Sequence, residues 1–250
     1  MKVFKLIFVC ISCSLVFISC HHDVWEDQYE HDDFFINGIK GTIVKPTIKA
    51  NGKWIVRPAF LGAFPYVDDS LLNLGFTVGF YDVTHEYGNT TAQNNFKEYL
   101  DYCKKTYHLN QKVILEGFSR GGFFSLCYAE NHPEDVEKIY VDNPVCNLKS
   151  WPLKENKKLY EDALEKWQNC GYDIDSIYDY PIKHFNVIIS HKIPVILVYG
   201  CKDTVAPYNE NFGLIKADGY KNILVIPKKN AGHHPHSLEK CGEIVNFLEK

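Results

Sequence analysis

Three residues of this chain, Ser119, Asp203 and His233, have the side chains and the neighbours needed to break an acyl bond together. Ser119 lies in Gly117-Phe118-Ser119-Arg120-Gly121, after the apolar run Val113, Ile114, Leu115 and before a helical pattern containing Phe123, Phe124, Leu126, Cys127 and Tyr128. A strand that turns sharply into a helix leaves its serine in a strained backbone geometry, and residues two positions away must be small to avoid collision. Gly117 and Gly121 meet that need, and Gly122 permits close approach of helix and strand. The arrangement is that of a nucleophile elbow.

A serine hydroxyl is a poor nucleophile unless a histidine takes its proton, and the histidine needs a carboxylate to fix its tautomer. Asp203 follows the apolar run Ile193 to Tyr199 in GCKDTVAP, bracketed by Gly200 and Pro207. His233 follows the run Ile223 to Ile226 in KKNAGHHPHSLE, before the last helical pattern. His234 is the nearest rival as base, and His236 could instead cap the final helix. Asp142, at the end of another strand-like run, is the alternative acid. Three histidines in one loop also raise a metal site, but with no carboxylate or cysteine ligand nearby in the sequence the expectation is no metal.

Attack by serine creates an oxyanion, and donors aimed at it contribute about 3–4 kcal/mol each. One donor is expected to be the backbone N–H of Arg120. The other should come from RPAFLGAFP, where Phe60, Leu61 and Ala63 all qualify and Leu61 is the named candidate. The Arg120 side chain either recognises an acidic substrate or forms a structural pair with a carboxylate such as Asp142, the pair being the expectation. Because the base must be neutral to accept a proton, activity should fall on acidification.

Positioning these groups requires strands that end beneath them. Trp54–Arg57, Phe76–Tyr81, Val113–Leu115, Ile139–Val141, Ile193–Tyr199 and Ile223–Ile226 read as strands. Asp68–Leu74, with Gly75 as its stop, and Asn94–Tyr107 read as helices, and Ile244–Leu248 lies in a closing helix. This alternation predicts an α/β fold with a mainly parallel central sheet and helices on both faces. Between Asp142 and His191 the alternation fails, and the segment carries Trp151, Tyr160, Trp167, Tyr172, Tyr178 and Tyr180. It reads as a small helical cap, at about residues 143–191, walling a pocket above Ser119.

The elbow, the Asp203 loop and the Gly232-His233 loop follow one another in the order Ser, Asp, His, and over roughly residues 50–250 they resemble the α/β-hydrolase superfamily. LEGFSRGG, DNPVCNLKSWP, VYGCKDTVAPYNEN and AGHHPHSL are similar to stretches of exported bacterial hydrolases often assigned to breakdown of plant or host glycans. The resemblance implies a serine hydrolase that cleaves a carboxylic ester, an acyl group on a carbohydrate, through an acyl-enzyme and without a cofactor. Esters are expected over peptides because many peptidases of the superfamily sieve substrates with a propeller or other extra domain that this sequence does not show. A peptidase or lipase with the same three residues is one alternative. A surface lipoprotein that binds glycan without catalysis is another.

With 250 residues, 46% of them hydrophobic, the chain is long enough for one sizeable core. A formal charge of −4 with scattered lysines offers no stripe for nucleic acid. At the N-terminus, Lys2 and Lys5 precede an apolar run from Leu6 to Ile18, then Ser19 and Cys20. This resembles a bacterial lipoprotein signal peptide (residues 1–19), with lipid on Cys20 tethering the chain to the membrane of an exported cell envelope, the outer membrane or cell surface if Gram-negative. Phe17 stands where such signals more often have Leu. Residues 20–50 then read as a tether and edge structure, and residues 51–250 as the hydrolase domain. Cys103, Cys127, Cys146, Cys170, Cys201 and Cys241 show no CxxC spacing, and Cys146 with Cys170 is the first disulfide to test.

Overall fold

The computed structural model describes residues 24–217 and 220–250, so the signal segment expected over residues 1–19 and the expected lipid site Cys20 lie outside the described residues. In chain order the regular elements begin with strands β1 (His31–Ile36), β2 (Ile39–Val44) and β3 (Trp54–Arg57), then helix α1 (Tyr66–Leu72), β4 (Thr77–Tyr81) and α2 (Thr90–Thr106). There follow β5 (Val113–Phe118), α3 (Arg120–Asn131), β6 (Val136–Asp142) and four helices, α4 (Lys157–Asn169), α5 (Ile174–Ile177), α6 (Tyr180–His184) and α7 (Asn186–Ser190). The chain closes with β7 (Val195–Gly200), β8 (Ile223–Lys228) and α8 (Gly242–Glu249).

The eight strands form one sheet in the order β1-β2-β4-β3-β5-β6-β7-β8. The pairs β1–β2 and β2–β4 are antiparallel, and the rest are parallel. Parallel strands are buried on both faces, so their apolar residues sort by alternation. Val113, Leu115, Ile139, Val141, Val195 and Leu197 face the layer of α2 and α3, against Phe96, Leu100 and Phe124. Ile114, Tyr140, Ile196 and Val198 face the opposite layer, against Leu71, Ile244 and Leu248. Truncating one such residue, as in Leu115→Ala, would cost about 2–5 kcal/mol. Because β5, β6 and β7 run in parallel, their C-terminal ends lie side by side on one rim.

The expected strands and helices are all present, with shifted ends. Helix α2 starts four residues before the expected Asn94, because the Asn89 side chain caps it by accepting from the Ala92 N–H at 3.0 Å. The β-branched Thr90 and Thr91 that follow are weak helix formers and mask that start. Gly75 does stop α1, with φ +86°, and a Cβ there would meet the Lys49 carbonyl at 2.8 Å. Residues before the sheet are also anchored. Trp25 Nε1 and the Tyr29 hydroxyl both donate to Asp69 Oδ1 on α1, at 2.8 and 2.7 Å.

Between β6 and β7, helices α4 to α7 pack on the outer face of α3. Trp167, Leu164, Ile177 and Tyr180 form one buried cluster with Phe123 and Cys127. Trp167 Nε1 donates to the Tyr87 carbonyl at 2.7 Å, and Tyr172 and Tyr180 pack against its ring. These aromatics cover the elbow helix. Cys146 and Cys170 are both free thiols, so the disulfide considered for them is absent.

Candidate active site

The turn from β5 into α3 holds Ser119 at φ 50° and ψ −119°, a conformation that L side chains rarely adopt. The Ser119 N–H donates to the Asp142 carbonyl at 3.1 Å, and its own carbonyl accepts from Gly122 and Val145 at 2.9 and 3.0 Å. These bonds over-determine the strained residue. A Cβ on Gly117 would lie 2.6 Å from Gly122 Cα, and one on Gly122 would lie 2.5 Å from Pro144 Cβ. A Cβ on Gly121 would lie 3.4 Å from Ala59 Cβ, an ordinary contact. The tight approach therefore falls on Gly117 and Gly122, and Gly121 is less constrained than its place in the motif implies.

His233 Nε2 lies 2.9 Å from Ser119 Oγ, and His233 Nδ1 lies 2.8 Å from Asp203 Oδ2. An ionised carboxylate can only accept, so Nδ1 carries the proton and Nε2 presents its lone pair to the serine hydroxyl. Asp203 Oδ1 accepts from the N–H groups of Val205 and Ala206 at 2.8 and 3.0 Å. Burial raises the Asp203 carboxyl, but the bonds from His233 and from these amides outweigh it and hold the group below its ordinary value. The carboxylate stays charged where the histidine needs it.

Two further residues bring the loops together. Asn143, the residue after β6, accepts from the Gly200 N–H at 2.7 Å and donates to the His233 carbonyl at 2.7 Å. Its φ of 44° falls in the left-handed region, which asparagine tolerates better than most residues. A Cβ on Gly200 would sit 2.0 Å from the Gly232 carbonyl oxygen, so the Asp203 and His233 loops can abut only because Gly200 has no side chain. Sequence reasoning passed over Asn143. Its one signal is an amide side chain directly after a strand-ending aspartate.

Asp142, the alternative acid, is fully buried and serves a different histidine. It lies 3.0 Å from His236 Nδ1 and 3.0 Å from Lys228 Nζ, and it accepts from the Ser237 N–H at 2.8 Å. The expected pairing of Arg120 with Asp142 is thus not formed. Arg120 instead lies with Cζ 5.1 Å from the Phe60 ring centre and has no ion pair among the described residues. His234 is exposed and stacks on Phe64 at 6.0 Å.

Beneath this rim, Arg57 Nη1 donates to Asp68 at 2.8 Å and Nη2 to the Ala63 carbonyl at 2.8 Å, holding the loop that follows β3. Burial, then the neighbouring Asp68 charge, push the Glu116 carboxyl well above its usual range. Glu116 is thereby held protonated, leaving one negative charge, that of Asp68, against Arg57. A neutral cluster supports the elbow from below.

Above Ser119 opens a cavity of about 530 Å³. Ser119, Arg120, His233, His234 and His236 line its polar side, and Phe60, Phe64 and Trp151 its apolar side. Of the six aromatics considered for the pocket wall between β6 and β7, Trp151 is the one on the cavity. The Arg120 N–H donates to no protein acceptor among the described residues, nor do those of Phe60 and Leu61, whereas the Ala63 N–H is committed to the Phe60 carbonyl at 3.1 Å. The Leu61 side chain packs into the core below, while Phe60, at φ 59°, faces the cavity.

Residues 76–249 match the prolyl oligopeptidase family. Among solved structures, the chain resembles the Pyrococcus horikoshii acylaminoacyl peptidase at 15% identity and a TM-score of 0.60, covering 82% of this chain and 37% of that one. The chain thus spans little more than a third of that peptidase. It resembles Est1E from Butyrivibrio proteoclasticus at 15% identity and a TM-score of 0.60, covering 88% of this chain and 96% of that one. A third likeness is to MGS-MChE2, an alpha/beta hydrolase enzyme from the metagenome of sediments from the lagoon of Mar Chica, Morocco. That one has 21% identity and a TM-score of 0.54, covering 87% of this chain and 96% of the other. No curated protein matches.

Proposed function

This chain is an α/β-hydrolase that belongs to the prolyl oligopeptidase family, and from that premise we propose that it cleaves a carboxylic ester, an acyl group on a carbohydrate, with Ser119 as nucleophile. The observation that carries the reading is the unbroken relay Asp203–His233–Ser119, with contacts of 2.8 and 2.9 Å, opening on an aromatic cavity. Ser119 Oγ attacks the ester carbonyl as His233 Nε2 takes its proton, and Asp203 stabilises the imidazolium. The Arg120 N–H and an N–H of the loop after β3, from Leu61 or the cavity-facing Phe60, hold the oxyanion. His233 returns the proton to the leaving alcohol, and water then releases the acid from Ser119 by the same steps in reverse.

The substrate reading draws on the cavity walls. Phe60, Phe64 and Trp151 offer flat apolar faces on which a sugar ring can stack. Arg120, whose Nε is buried without a hydrogen-bond partner, favours a sugar or acyl group that bears a carboxylate. A panel of acetyl, longer acyl and aminoacyl amide substrates, with neutral and acidic alcohols, tests this against a Ser119→Ala control. Turnover greatest on short acyl esters of acidic sugars is the expected result, and an inert panel would refute it. Turnover greatest on aminoacyl amides would favour the second reading, a peptidase, which the family match supports. Folded protein that binds glycans and turns over none of them would favour the non-catalytic alternative. Lipid on Cys20 at the cell envelope is part of the proposal, supported by the N-terminal sequence and tested by metabolic labelling with a fatty acid.

A further inference from the structure

The loop after β8 brings three imidazoles to one place. His233, His234 and His236 each offer a ring nitrogen, and these nitrogens all lie within 4.8 Å of one another. The ring centres are 5.0, 5.0 and 4.8 Å apart, with each pair nearly edge-to-face, so one nitrogen of each ring can approach a common point without the rings colliding. The sequence offered no carboxylate partner for this cluster, but the fold supplies two from other strands. Asp203 holds His233 Nδ1 at 2.8 Å and Asp142 holds His236 Nδ1 at 3.0 Å. In both rings the proton is thereby fixed on Nδ1, and Nε2 is left as a donor of electrons. Histidine that ligates a metal characteristically has such a carboxylate behind it, which orients the ring and raises its basicity.

From this geometry we propose that His233, His234 and His236 form an inhibitory site for a zinc-class divalent cation at the mouth of the cavity. Three imidazole ligands with a fourth position open to the cavity suit tetrahedral zinc, with bonds of about 2.0–2.1 Å. Tetrahedral angles at that bond length bring the nitrogens to about 3.3 Å from one another. The exposed His234 can close its own distances by changing rotamer, while His233 and His236, each held by a carboxylate, close theirs through a small shift of the loop. The charge of Asp142 is offset by Lys228, while that of Asp203 has no Lys or Arg partner and faces the His233 ring directly; with Arg120 on the same cavity the surrounding layer is neutral rather than cationic. Binding takes the Nε2 lone pair that would otherwise accept the Ser119 proton, so the cation switches the nucleophile off. Inhibition rests on the proposed hydrolase reading. Binding does not.

The experiment is calorimetric titration of the metal-free full chain with Zn2+, alongside His234→Gln and Ser119→Ala, with cobalt(II) absorption as a check on geometry. The expected result is one ion per wild-type chain, retained in Ser119→Ala, and affinity weakened about tenfold or more in His234→Gln. Labelling of Ser119 by a fluorophosphonate should be suppressed by Zn2+ in the wild type and restored by chelator, with a higher Zn2+ concentration needed in His234→Gln. No binding, or binding equally tight in His234→Gln, would overturn the proposal. Binding that leaves labelling untouched would overturn the inhibitory role. Absence of labelling without any metal would instead count against the hydrolase reading and leave the calorimetric result standing.

Discussion

The side-chain amide of Asn143 donates to the backbone carbonyl of His233 at 2.7 Å. The same amide group accepts from Gly200, so one residue after β6 ties together the Asp203 loop and the His233 loop. Asn143 touches none of the reacting atoms and is a positioning residue. Asn143→Ala should therefore lower kcat by about 10- to 100-fold with little change in KM, because misplacement of about 1 Å can cost 100-fold. It should also destabilise the fold by about 1–3 kcal/mol through the orphaned backbone groups. Steady-state kinetics beside urea unfolding separate the two effects.

The two buried aspartates at the rim should behave differently. Asp203→Asn removes the carboxylate that holds His233 and should lower kcat by about 10⁴-fold, by analogy with the same change in other serine hydrolases. Asp142→Asn removes the buried charge that pairs with Lys228 and accepts from the neutral His236 ring, and should destabilise by about 3–5 kcal/mol, while the folded fraction keeps most of its kcat. Kinetics on material confirmed as folded by circular dichroism check the contrast. Similar kcat losses in both variants would contradict it.

Two tryptophans between β6 and β7 test how that segment is used. Trp167 is fully buried over α3, so Trp167→Ala should cost about 3–5 kcal/mol of stability. Trp151 lines the cavity, so Trp151→Ala should raise KM with a smaller stability loss. Thermal unfolding and substrate saturation curves measure both.

Glu130 sets a pH dependence of stability. Both its carboxylate oxygens are buried without a partner, and burial holds its pKa well above the ordinary 4.5. The folded state then binds a proton that the unfolded chain releases, so the contribution is fully present below about pH 4.5 and is lost as pH rises toward the folded value. Each pH unit in that window costs about 1.4 kcal/mol. Glu130→Gln keeps the shape without the titration and should raise the unfolding midpoint more at pH 8 than at pH 5.

How far the sequence revealed this arrangement depended on the residue. Ser119, Asp203 and His233 were legible because strand ends, glycines and chain order mark each of them locally, and the sheet then brings them within hydrogen-bond reach. The apolar strands were legible for the same reason, since a buried parallel strand is a short continuous run. Asn143, the Asp142–His236 pair and the Arg57–Asp68–Glu116 cluster were not, because each depends on contacts between residues far apart in the chain. Arg120 shows the same limit. Its expected partner Asp142 was already taken by Lys228, which lies 86 residues downstream. The aromatics after β6 gave no sign of which would face α3 and which the cavity, since that depends on how four short helices pack.

The most direct test is intact-mass analysis of folded protein treated with a fluorophosphonate, with peptide mapping of the adduct. The account predicts one adduct per chain, on Ser119, abolished in Ser119→Ala and strongly slowed in His233→Ala. Folded wild-type protein that takes up no label at Ser119, or that labels equally fast without His233, would contradict it.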